Sequence, residues 1–248
     1  MPVDACYETR HRRDERLASH RHRDGYVSLA VAGSYMECSL DGRFHCRPGT
    51  LIYHPLFHSH GDDIGRLGAR VLNLPVRAHP RESGVRAWQV ADLATAVEVF
   101  RRCPRELSSL IAMASRVEPE SLPPWQACML ERLVSSELAI SEIARDLDVT
   151  IEHASRAMRR SLGMPPQLLR REARWRRAWG LLIGERGLGQ ISTDCGFSDQ
   201  SHFTRVTCAI TGSPPANLRR RFRVPPSTAM SGLARSAADE SLPLLEIA

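Results

Sequence analysis

The phrase Gly-x-Pro-Pro-x-x-Leu-Arg-Arg stands twice in the chain, at Gly163–Arg171 (GMPPQLLRR) and at Gly212–Arg220 (GSPPANLRR), 49 residues apart. A repeat constrains the fold more than any single motif, because a duplicated stretch usually means one structural unit used twice. The correspondence runs upstream. Ser155-Arg156 stands 49 residues before Thr204-Arg205, while Ile143, Ala144 and Asp148 stand 48 before Ile191, Ser192 and Gly196. The change of offset places a one-residue insertion between them, near a turn.

Each copy reads as two short helices. In the first, Ile140, Ile143, Ala144 and Leu147 follow the i, i+3, i+4, i+7 spacing of one buried helical face. Asp148 marks a tight turn, since Asp tolerates left-handed backbone, and Thr150 can cap the next helix. That helix carries Ala154, Ala157, Met158 and Leu162 as apolar positions and exposes Glu152, Ser155, Arg156, Arg159 and Arg160. In the second copy Leu188, Ile191, Ser192 and Cys195 make the first face, Gly196 supplies the turn, and Ser198 or Asp199 caps the next helix. Two helices joined by a short turn describe a helix-turn-helix. Between the copies, Pro166 opens a long helix that ends at Gly184 or Gly187. Such a helix could hold two recognition helices in adjacent turns of one DNA duplex.

The charge lies in the same region. Residues 126–223 hold 16 arginines against 10 acidic residues, and the rest of the chain is balanced, so the whole net charge of +6 belongs to the duplicated part. All 34 basic residues are arginine. Solvated helix faces could give the same count, but this placement is what a nucleic-acid surface requires.

The residues GFSDQSHFTR at Gly196–Arg205, the two GxPP endings and the paired helix-turn-helix units resemble the DNA-binding domain of AraC-type transcriptional regulators, over about Trp125–Phe222. The resemblance implies that Glu152, Ser155, Arg156 and Arg159 face bases and phosphates from the first unit. It assigns Gln200, Ser201, His202, Thr204 and Arg205 that role in the second. The family usually has Ala where Ser192 stands and Phe where Thr207 and Thr211 stand, which thins the apolar packing of the second unit.

The N-terminal half reads differently. Tyr26–Val31, Ser34–Leu40, Thr50–Tyr53 and Ala69–Leu74 read as short strands, broken at Gly33, Asp41-Gly42 and Pro48-Gly49. Asp-Gly between such runs signals a hairpin, and many short strands favour a small antiparallel barrel. His20 and His22, two apart on an extended segment, point to one face, as a metal site needs; His54, His58 and His60 follow. The spacing resembles the two cupin motifs, with His20, His22 and Gly33 matching the first and Gly42, Pro48 and His60 the second. Tyr26 stands where cupins usually place a ligand Glu. A divalent transition metal on His20, His22 and His60, an organic effector in a metal-free pocket, and a structural barrel all remain open.

The expected fold class is α+β, an N-terminal cupin-like antiparallel β-barrel followed by an all-α domain with two helix-turn-helix units joined by a long helix. The expected divisions are a cupin-like effector domain over 1–82, a helical segment over 83–117 that packs on the barrel or forms a dimer face, and a linker over 118–124. The DNA-binding domain follows over 125–223, and a disordered tail rich in Pro, Ser and Ala over 224–248. Seven cysteines without a CxxC pair suit reduced thiols in a cytoplasm. No apolar run approaches the length of a membrane span.

The expected function is a sequence-specific transcriptional regulator, with double-stranded DNA as partner and no catalytic residue. A small-molecule effector, a homodimer and, for an activator, RNA polymerase complete the expected partners. The rival from another class is a cupin-type metalloenzyme with an appended helical domain; the missing ligand Glu and the lack of an acid/base partner weigh against it. An RNA-binding module would want more stacking aromatics than the 6% present.

Overall fold

A computed structural model of the chain describes residues 6–80, 82 and 84–222; the tail over 224–248 lies outside them. The first half is an antiparallel sheet built from β1 (Tyr7–His11), β2 (Arg16–Arg21), β3 (Tyr26–Ser39), β4 (Gly42–Cys46), β5 (Thr50–His54), β6 (Ser59–Pro75), β7 (Arg86–Gln89) and β8 (Ser115–Val117). The main strand order is β1-β6-β3-β5-β7-β8, with β2 added to β6 and β4 to β3. The Asp41-Gly42 hairpin joins β3 to β4, with Ser39 opposite Gly42.

The long strands β3 and β6 form the spine. Gly33, expected to separate two strands, lies inside β3 instead. Register slips between Ala30 and Ala32 and between Gly33 and Tyr35 mark bulges in the β3–β6 pair, and bulges bend and twist a strand. Here Gly33 adopts a φ of 69° opposite Gly68 at 71°. A Cβ on Gly33 would lie 1.9 Å from the Gly68 carbonyl oxygen, so only glycine lets the two backbones pass. The bend lets β1, β2, β3 and β6 line one pocket.

The segment expected to be helical over 83–117 holds two helices, but β7 precedes them and β8 follows them, so strand replaces helix over Ser115–Val117. Between β7 and β8 run α1 (Leu93–Arg102), a 3₁₀ turn at Pro104–Glu106 and α2 (Leu107–Ala112). Ala87 and Trp88 carry the β-type burial that a helical reading overlooks: their strand is too short to show a period, but it pairs with β5 on one side and β8 on the other. Asp92 caps α1 by accepting from Ala94 N–H. Ala96, Val99, Phe100, Leu107 and Leu110 close over Val27, Leu29, Leu51 and Leu74 as one core. Both helices thus spend their apolar faces on the sheet.

The second half is helical: α3 (Pro124–Ser135), α4 (Ile140–Asp146), α5 (Ile151–Leu162), α6 (Pro166–Leu182), α7 (Leu188–Asp194), α8 (Gln200–Thr211) and α9 (Pro215–Phe222). The α4–α5 turn passes through Asp148 at φ 53° and the α7–α8 turn through Gly196 at 74°. Thr150 caps α5, and Asp199 rather than Ser198 caps α8. Gly163 and Gly212 end α5 and α8 in left-handed backbone, which is why both copies carry glycine before their Pro-Pro pair. The connecting helix α6 stops at Leu182, short of Gly184. No helix among the described residues is long and apolar enough to cross a membrane.

Candidate functional site

Two surfaces carry chemistry, the recognition helices and the histidine pocket of the sheet. On α5, Glu152, Arg156 and Arg159 are exposed and Ser155 is half-buried, while Ala157 is buried and Ala154, Met158 and Leu162 turn inward onto Met129, Leu133 and Ile143. On α8, Gln200, Ser201 and Arg205 are exposed, and His202 and Thr204 are half-buried. Two of these five are already engaged. The Thr204 hydroxyl donates to the Gln200 carbonyl at 2.9 Å. His202 turns back to Ser198, with Nδ1 3.2 Å from its hydroxyl, and packs edge-on against Phe197. The second helix therefore offers fewer free polar groups than its sequence suggested.

In the sheet, β2 runs beside β6 with His20 opposite His60. His20, His22 and His60 come together as the sequence predicted, their ligating atoms within 4.8 Å of one another. Tyr26, in the position where cupins usually place a ligand Glu, stacks its ring on His54 at 4.2 Å and lies 3.3 Å from His60 Nε2 through its hydroxyl. A cavity of about 110 Å³ opens here, lined by Thr9, His20, Tyr26, Glu37, His60 and Asn73 among others.

Beneath this mouth lies a group that sequence reasoning missed. Glu37, Tyr35 and Tyr26 all reach the pocket from β3. Glu37 and His54 are each 1% exposed. His54 Nε2–H donates to both Glu37 oxygens at 3.0 Å, and His60 Nδ1 lies 3.3 Å from the same carboxylate, misaligned for a hydrogen bond. His58, also buried, places Nε2 3.3 Å from Asp41. Burial and neighbouring imidazoles push His22 down to about 3. Burial pushes His58 down to about 4 against the pull of Asp41. It also lowers His54, although Glu37 works the other way. For His60 burial is outweighed by Glu37, and its value is raised. Glu37 itself would be raised by burial, but the imidazoles hold it well below the usual carboxylate range. Burial lifts Asp62 to about 7. Burial thus favours the neutral form of His22, His54 and His58, while Glu37 favours the charged form of His60.

The two surfaces are wired together. Asp41, on the β3–β4 hairpin, accepts from Arg176 of α6 at 2.7 Å. Arg176 also donates to Glu172 at 3.0 Å, and Glu172 accepts two bonds from Arg21 of β2 at 3.2 and 2.5 Å. The turn between β5 and β6 sends Phe57 edge-on against Trp175 and Trp179 of α6, at ring-centroid distances of 6.0 and 5.2 Å. The i, i+4 pair Glu172 and Arg176 was the available signal, two charges on a helix face otherwise rich in apolar residues.

Residues 131–221 match the family model of a helix-turn-helix domain. Among solved structures, the chain is similar to ToxT from Vibrio cholerae with an unsaturated fatty acid bound, at 11% identity over 86% of this chain and 94% of that one, with a TM-score of 0.38. It is also similar to an AraC-type transcriptional regulator from Chromobacterium violaceum, at 24% identity over 42% of this chain and 96% of that one, TM-score 0.38. A third is the C-terminal domain of AraT, a response regulator from Geobacillus stearothermophilus, at 22% identity over 45% of this chain and 97% of that one, TM-score 0.40. No curated protein matches the chain.

Proposed function

We propose that the protein is an AraC-type regulator of transcription that reads duplex DNA with α5 and α8, a reading supported by the match of residues 131–221 to a helix-turn-helix domain. The observation that carries this is the paired geometry: two capped recognition helices, each with an exposed arginine, at the two ends of one connecting helix. With 17 residues, α6 is about 25 Å long, of the order of the ~34 Å between successive major-groove faces. Arg156 and Arg159 on α5 and Arg205 on α8 supply the cations, Glu152 an acceptor for a cytosine amino group, and Ser155, Gln200 and Ser201 neutral hydrogen-bonding groups. His202 and Thr204, being engaged in their own helix, act by shaping α8 more than by reaching a base.

The N-terminal sheet supplies the sensing half. Its cavity of about 110 Å³ is smaller than the roughly 150 Å³ that holds benzene, and the polar groups set in its largely apolar wall suit a small effector or a metal ion, with His20, His22 and His60 as donors at the mouth.

The test is binding to an operator selected from a random duplex library. Arg156→Ala and Arg205→Ala should each weaken binding by about 1–3 kcal/mol where the arginine reads a guanine. Wild-type affinity should also fall steeply with salt. Unchanged affinity in both variants refutes the assignment of the recognition helices, and a flat salt dependence refutes DNA as the partner.

A further inference from the structure

The cluster below the pocket mouth is a better metal site than the mouth itself. Glu37, His54, His58 and His60 are between 1% and 5% exposed, and they offer four ligating atoms within 4.8 Å of one another. Three imidazoles and one carboxylate suit zinc and its divalent neighbours. Three nitrogens of these histidines, Nδ1 of His54, His58 and His60, are buried and have no hydrogen-bond partner. An unmet buried polar atom is costly, and a bound cation would remove that cost.

The tautomers follow from the partners. Because His58 Nε2 faces the Asp41 carboxylate, it carries the proton, and Nδ1 is left with the bare lone pair that a metal takes. A histidine that binds metal through one nitrogen and gives its other N–H to a carboxylate is a common outer-shell arrangement. Here that carboxylate does not end the chain of contacts. Asp41 accepts from Arg176 on the connecting helix, so the outer shell of the cluster reaches the DNA-binding half directly.

A second path runs through the backbone. His54 and His58 bracket the β5–β6 turn, whose tip Phe57 stands at φ 57° and buries its ring against Trp175 and Trp179. Four ligands at tetrahedral bond lengths of about 2.0–2.1 Å stand about 3.4 Å apart, so closing this cluster on an ion pulls both ends of that turn inward.

We infer that Glu37, His54, His58 and His60 form a buried binding site for a divalent transition metal, and that its occupancy is passed to the DNA-binding domain through the Phe57 turn and the His58–Asp41–Arg176 chain. The inference rests on the reading of the N-terminal sheet as the sensing half.

The full-length chain, stripped with chelator, is titrated with cobalt(II) and then zinc(II). One equivalent of cobalt should give the intense visible absorption of four-coordinate Co(II), displaced by zinc. The spectrum should survive in His20→Ala/His22→Ala, which leaves all four buried ligands in place, and should be lost in Glu37→Gln and His54→Ala. Circular dichroism confirms that each variant folds. Loss of cobalt in the double mouth variant, with retention in the buried variants, overturns the site. So does the absence of stoichiometric metal in the wild type, a result that needs no folded variant. Hydrogen exchange then reads the coupling. Zinc should slow exchange at least several-fold over both 54–60 and 170–180, and slowing confined to the sheet overturns the transmission. DNA binding by the same stripped sample is measured separately: its failure would refute the regulator reading and leave the metal result standing.

Discussion

The two helix-turn-helix units share a plan but not a core. In the first, Met129 and Leu133 of α3 pack with Ile143, Met158 and Leu162, all from the helical domain, and the half-buried Leu40 of the β3–β4 hairpin packs against them from the sheet. The second includes an outsider, for Phe57 from the sheet sits in its cluster with Trp175, Trp179, Ile191 and Phe203. The second also holds polar groups where the first is apolar. Ser192 meets its need by donating to the Gly189 carbonyl at 2.7 Å, and Thr211 donates to the Thr207 carbonyl at 2.8 Å, but the Thr207 hydroxyl is buried without a partner. The difference teaches that a duplicated module need not be duplicated in role. The second unit takes a buried ring from the sheet into its core, so it must respond when that contact changes, whereas the first meets the sheet only through the half-buried Leu40.

Removing the borrowed ring should do the most damage. Phe57→Ala takes away a buried aromatic, a change that costs about 3–5 kcal/mol. The loss should appear in denaturant melts as early unfolding of α7–α9, with α3–α5 left intact by hydrogen exchange. Simultaneous loss of both units would erase the contrast.

Acid should loosen the same contact next. Burial alone would raise the Glu172 carboxyl, but hydrogen bonds from Arg21 and the charge of Arg176 outweigh it and hold it below its ordinary value. A depressed carboxylate stabilises the fold above its unfolded value, about 4.3, and that contribution fades as pH falls through the folded value. Stability measured from pH 6 down to pH 3 should therefore drop for the wild type. The fall should be shallower in Glu172→Gln, and parallel curves would show that this pair does not hold the interface.

On DNA the contrast concerns charge. Arg156 and Arg159 are both exposed on α5, and Arg205 is the arginine of α8. Arg156→Ala/Arg159→Ala should flatten the slope of log affinity against log salt by about 2, and Arg205→Ala by about 1. Equal changes would make the units equivalent partners.

The smallest effect is a gain. Thr207→Val replaces an unpartnered hydroxyl by a methyl of the same shape, which should stabilise the second unit by about 1 kcal/mol. A loss on thermal melting would mean that the hydroxyl has a partner after all.

Much of the helical half was legible because its signals are local. Turn residues at Asp148 and Gly196, caps at Thr150 and Asp199, and glycines before Pro-Pro each act within one or two turns of chain. The sheet was less legible because its pairings are distant. Nothing near Gly33 announces that it must slip past Gly68, so a bulge inside β3 read as a gap between strands. Two of the mouth histidines, His20 and His22, followed from alternation along an extended segment, and His60 from the cupin resemblance. Glu37 was missed for the opposite reason: it stands alone in its strand, and its partners His54, His58 and His60 come from later strands and their connecting turn. A lone carboxylate among Tyr35, Met36 and Cys38 was the only hint. Asp41 was recognised for its turn and not for its carboxylate, since Arg176 lies 135 residues away.

Phe57 has one further consequence. A non-glycine residue in left-handed backbone carries strain of about 1–3 kcal/mol, and this one is held there while its ring is docked. Glycine, and to a lesser degree Asn or Asp, would relax the backbone but forfeit the ring. The position therefore admits no change that improves both terms. The docked ring thus holds the β5–β6 turn against its own backbone strain.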